Sequence, residues 1–196
     1  MIRPFALSIA LFAPLPALAH HPLGGAMPQS AWQGLLSGLG HPLIGVDHLA
    51  FMVGAGLLSA LLPRGAAVLA VTLFVAASAA GTILHLAGLS LGPVEAMVAG
   101  SALTAGVLVL RAGVLRQGFV GLGFALAGLV HGHAFAEAVL GAEPMPILAY
   151  LLGLAAVQAA MMLGLALLAR DIGVIRRVAG AAVVLVGCIS LAMALA

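Results

Sequence analysis

The stretch HPLIGVDHLAFM, His41–Met52, sets two histidines, an aspartate and a methionine inside an apolar run. A second cluster, HGHAFAE, carries His131, His133 and Glu137. Imidazole and carboxylate together make a cation site: the ring nitrogens suit nickel, cobalt, zinc, copper and iron, and the carboxylate neutralises charge. On a helix, His41 and His48 share a face, as do His48 and Met52, while Asp47 points toward a neighbouring groove. Pro42 and Gly45 can loosen that helix and free backbone carbonyls as further ligands. Met52 is a soft donor, though a methionine in such a segment is expected to pack. In the second cluster His133 and Glu137 stand one turn apart and face together, whereas His131 points to nearly the opposite side. Both histidines therefore cannot serve one point on a straight helix. One can ligate while the other bonds between helices, or Gly132 can permit a distortion.

These polar groups sit in a chain of 196 residues that is 64% hydrophobic and only 6% charged. Soluble domains carry about 25% charged residues. This chain cannot cover a globule with polar surface, so it reads as an all-α membrane protein. Its 26 glycines suit close helix contact in lipid. Cys188 is the single cysteine, which excludes an internal disulfide. A net charge of +2, resting on dispersed arginines, gives no footprint for nucleic acid.

Residues 1–19 have the form of a cleavable signal peptide: Arg3, then an apolar stretch, then Ala17-Leu18-Ala19. Cleavage would leave 20–196 as one transmembrane domain beginning with His20-His21, a pair able to collect metal at an entrance. That domain divides into six apolar spans, roughly 33–61, 66–88, 93–110, 117–140, 146–168 and 174–195. Arg64, Arg111, Arg116, Arg170, Arg176 and Arg177 follow the first, third and fifth spans. The positive-inside rule makes that side cytoplasmic and places both mature termini in the periplasm. The first and fourth spans open two three-helix halves, and each holds a His/acid cluster. Halves of three helices would be inverted with respect to each other.

On this topology His85, near the end of the second span, and Glu95, at the start of the third, join the two clusters in an outward-facing funnel. His85 alone reads more readily as an interhelical hydrogen-bond partner than as a ligand, and Glu95 equally as a charge favoured by a helix N-terminus. Asp47 is harder to explain structurally. An Asp at the centre of a membrane helix costs about 2.5–3.5 kcal/mol, and no basic residue lies at its depth to neutralise it. His⁺, a proton or a metal ion is left to do so.

HPLIGVDHLAFM resembles the first-helix signature of the HupE/UreJ family of membrane proteins, a His-x5-Asp-His pattern. VHGHAFAEAVLGAEP resembles that family's fourth-helix signature, His-Gly-x-Ala-x-Gly-x-Glu, with Val130 in place of a Phe and Ala136 in place of the second Gly. The resemblance covers the mature chain. It implies nickel or cobalt uptake, with His41, Asp47, His48, Glu95, His131 and Glu137 as site residues; His133 occupies a variable position and rests on the helical spacing alone.

The sequence thus leads to a divalent transition-metal permease of the inner membrane, with nickel or cobalt preferred through the resemblance. The metal ion is its substrate, held between the first and fourth spans by His41, Asp47, His48, Glu95, His131, His133 and Glu137, with His20, His21 and His85 as outlying candidates. The partners expected are the lipid bilayer and the ion, with a homo-oligomer left open. Two alternatives stand beside it: an intramembrane metal-dependent hydrolase with Glu137 as base, and a metal-binding sensor or accessory protein that does not transport.

Overall fold

The computed structural model describes residues 26–111 and 116–196. The expected signal peptide, His20 and His21 lie outside them. Among the described residues the chain forms seven α-helices and one 3-10 turn, with no strand: α1 Ala31–Ile44, α2 Val46–Ala60, α3 Arg64–Leu86, α4 Val94–Leu110, α5 Gln117–Phe135 with the 3-10 turn Ala136–Val139, α6 Pro144–Leu168 and α7 Gly173–Ala194. Four segments among the described residues are long and apolar enough to cross a membrane: α3, α5 with its 3-10 turn, α6 and α7. Their outer faces carry exposed Leu69, Leu122, Leu152 and Leu185, a surface that only lipid solvates without cost. This is a multi-pass membrane protein.

The first span departs from the continuous helix expected over 33–61. It is two helices, α1 and α2, bent by 79° at Gly45. Pro42 lies inside α1 and supplies no N–H to its ladder, and Gly45 follows in an extended conformation (φ −72°, ψ 108°). A Cβ on Gly45 would approach His48 Cδ2 to 2.7 Å, so the glycine makes room for that ring. The expected third span, α4, has only 17 residues and is shorter than the four segments long enough to cross. The fourth changes character at its end. Its α-helix stops at Phe135, so Glu137 belongs to the 3-10 turn and is exposed rather than facing with His133 along one α-helix.

Glycines determine which helices touch. α1 lies on α6: a Cβ on Gly34 would strike the Pro146 carbonyl, one on Gly38 the Tyr150 carbonyl, and one on Gly153 the Leu35 carbonyl. α5 lies on α3 in the same way, with Gly128 against the Phe74 carbonyl, Gly132 against the Ser78 carbonyl and Gly81 against the Leu129 carbonyl. Residue spacings are identical in the two pairs, and in both pairs the helices run parallel. The third major contact is reciprocal: Gly106 of α4 meets Val184 of α7, and Gly187 of α7 meets Leu103 of α4. Exchanging α1 with α5, α3 with α6 and α4 with α7 maps this set of contacts onto itself. That is the pattern of a pseudo-two-fold between two halves of the bundle. α2 has no counterpart. It fills the middle, packing on α4, α6 and α7.

Polar groups tie the same seams. Thr82 of α3 donates to the Gly132 carbonyl at 2.8 Å, and Gln158 of α6 donates to Ser78 of α3 at 3.0 Å. At the other end Arg170 donates to the Leu62 carbonyl at 3.0 Å, holding the loop before α3 beside the end of α6.

Close backbone contact makes a sharp prediction. Gly132→Ala pushes a methyl into the Ser78 carbonyl and should destabilise the protein by about 1–3 kcal/mol, as overpacking does. Gly164→Ala meets nothing within 4 Å and should leave the melting temperature of the purified protein unchanged. Equal melting temperatures for both variants would contradict the glycine seam.

Candidate functional site

The break at Gly45 places α2's N-terminus inside the bundle. Unpaired N–H groups there carry partial positive charge. Asp47 lies in that first turn, and its Oδ1 accepts from the His48 backbone N–H at 2.8 Å. Thus Asp47 is placed where a helix end stabilises an anion, and it remains half-buried. Above the break, the last carbonyls of α1 present the opposite end of a helix dipole, suited to a cation.

Side chains of His41, His48 and His131 gather at this break, each 5% exposed or less. Phe135 lies against both first-span rings, with centroids 5.1 Å from His41 and 4.2 Å from His48. The rings of His41 and His48 are 6.1 Å apart at 80°. Phe51 covers His131 at 4.4 Å.

Hydrogen bonds assign the neutral tautomers. Tyr150 gives its one proton to the Phe135 carbonyl at 2.7 Å. Its oxygen therefore accepts from His41 Nδ1–H at 2.8 Å, which puts the His41 lone pair on Nε2. Ser101 of α4 gives its proton to the Val98 carbonyl at 2.7 Å and so accepts from His131 Nε2–H at 2.8 Å. His131 Nδ1 then holds a lone pair and accepts from His48 Nδ1–H at 2.9 Å. His48 in turn carries its lone pair on Nε2. The chain Val98–Ser101–His131–His48 does for His48 what Phe135–Tyr150 does for His41. Such partners fix a ring's orientation and raise its basicity as a ligand.

Not every expected residue reaches this point. His133 is buried but faces α3, where its Nε2 lies 2.7 Å from His85 Nδ1. Glu137 is exposed, and so is Glu95, in the first turn of α4. Among the described residues no three His, Cys, Asp or Glu side chains converge closely enough to hold an ion. Met52 packs in the core at 1% exposure. Two positioning groups lie outside the set expected from the sequence: Tyr150 and Ser101. Tyr150 is the chain's single tyrosine, and a buried tyrosine hydroxyl needs a partner. That was the available signal.

The match to known proteins covers nearly the whole chain. The model of the HupE / UreJ protein family matches residues 7–191. The chain belongs to the HupE/UreJ family. It is 32% identical to Protein HupE of Rhizobium leguminosarum bv. viciae over 182 residues, covering 88% of this chain and 90% of that protein. No solved structure matches. HupE/UreJ proteins form a metal transport and accessory family, not an enzyme family, so the hydrolase alternative falls away. Glu137 faces outward, and Ala138 beside it is buried at 3%.

The tautomer chain makes Tyr150→Phe informative. Phenylalanine fills the same volume but cannot hold His41 Nδ1–H. Nickel affinity by calorimetry should fall roughly 10–100-fold, the usual effect of removing such a partner, with the melting temperature largely kept. An unchanged Kd would contradict the role given to the hydroxyl.

Proposed function

We propose that this protein is a divalent transition-metal permease, with nickel or cobalt as its cargo, taken up across the inner membrane. The reading uses six spans, counting α1 with α2 as one broken span and α4 as a short one, and both mature termini on the periplasmic side. The observation that carries it is the break at Gly45. Two buried histidines stand there with their lone pairs directed to Nε2, beside a carboxylate at a helix N-terminus and the carbonyl end of a second helix. Broken helices with these features hold ions in many transporters. Imidazole and carboxylate select borderline divalent metals over calcium and magnesium.

Each group has a defined part. His48 and His41 offer Nε2 as ligands. Asp47 supplies negative charge. His131, Ser101 and Tyr150 hold the imidazoles in their ligating tautomers. Entry is from the outer side, past Glu95 and Glu137. Two imidazole ligands with the Asp47 charge beside them, and no third side-chain ligand, fall short of the closed four-ligand shell of a structural site, which allows release. The membrane potential is a sufficient driving force: at 100 mV it supplies about 4.6 kcal/mol for a divalent ion, from roughly 2.3 per charge.

Proteoliposomes with an imposed inside-negative potential test this. Ni²⁺ or Co²⁺ should accumulate with the native protein, and both Asp47→Asn and His48→Ala should cut the rate at least tenfold. Metal binding without flux in the native protein would replace the permease by an accessory, metal-holding role.

A further inference from the structure

On the far side of α5 from the Gly45 break, His133 meets His85 of α3. Their rings are 4.0 Å apart and perpendicular at 87°, with His85 Nδ1 and His133 Nε2 separated by 2.7 Å. His133 is 3% exposed, yet its Nδ1 has no hydrogen-bond partner. Burying an imidazole nitrogen unsatisfied is unfavourable, and hydrophobic residues at both positions would hold the same helix seam. The surrounding contacts do not depend on the pair, since Gly81, Gly128 and Gly132 already bring α3 and α5 together. His85 lies in the last turn of α3 and is half-exposed, so the pair is open from the helix ends. Glu137 follows His133 in the 3-10 turn and acts electrostatically on that ring.

We propose that His85 and His133 form a second divalent-metal site, separate from the one at Gly45, which captures the ion at the outer ends of α3 and α5. Two nitrogens bound to one tetrahedral ion stand roughly 3.3 Å apart, given metal–nitrogen bonds near 2.05 Å. The pair therefore has to open by about 0.6 Å, a side-chain movement that half-exposed His85 can make. Water fills the remaining positions, with Glu137 nearby to balance charge. The two sites face opposite sides of α5, because His131 and His133 are two residues apart on one helix. This goes beyond the permease reading: capture at His85–His133 does not require that the ion be transported.

The test is Ni²⁺ binding to the full-length protein in lipid nanodiscs. The native protein should bind two ions, His85→Ala should bind one, and His48→Ala should also bind one. A measurement on the unmutated protein runs beside it. Diethylpyrocarbonate should modify half-exposed His85, and Ni²⁺ should protect it at least fivefold by mass spectrometry. Protection of His85 that persists in His48→Ala confirms a separate site, whether or not the protein transports. Unchanged stoichiometry in His85→Ala, or labelling of His85 that Ni²⁺ does not reduce, overturns it.

Discussion

A helix that breaks inside a bundle leaves backbone N–H and C=O groups without their usual partners, and in lipid no water replaces them. Everything at the candidate site follows from how the chain meets that constraint at Gly45. Asp47 accepts from the His48 N–H in the first turn of α2. The carbonyl end of α1 lies at the same break, with the His41 carbonyl accepting from Gly45 N–H. Histidine rings from three helices close around the gap, backed by Phe51 and Phe135. The same break answers why an aspartate persists in such apolar sequence: Asp47 is at a helix start, not a helix middle.

Precision at the break comes from groups that are not themselves ligands in the proposed site. A neutral histidine has one lone pair, and which nitrogen carries it depends on the bond made by the other. Here two hydroxyls decide. Each has one proton, each gives it to a backbone carbonyl, and each is thereby made an acceptor for a histidine N–H. The carbonyls belong to α4 and α5, so the ligating form of His41 and His48 is tied to how the helices sit against one another. A movement of α4 relative to α5 would disturb His131 and, through it, His48.

Much of the frame was legible in the sequence because composition and breakers act locally. The apolar segments and their joints needed only periodicity and spacing, and two His/acid clusters pointed to a site between the first and fourth spans. Inverted halves were suggested by two polar clusters; the two-fold pattern of contacts rests instead on a register of glycines on carbonyls, which is spatial. Three features were hidden. Pro42 and Gly45 signalled a loosened helix without giving its angle of 79°. Glu137 looked aligned with His133 because the 3-10 turn after Phe135 leaves no mark in the residue types. Tyr150 lies far from His41 in sequence, and only the α1–α6 contact at Gly38 brings them together.

The central claim is that an ion is bound at the Gly45 break through Nε2 of the first-span histidines. Anomalous diffraction at the nickel edge from crystals of the Ni²⁺-loaded protein tests it most directly. The account predicts a peak beside Gly45, about 2.1 Å from Nε2 of His48, with His131 still bonded to His48 Nδ1. A peak on His48 Nδ1, or nickel found everywhere except at the break, would contradict it.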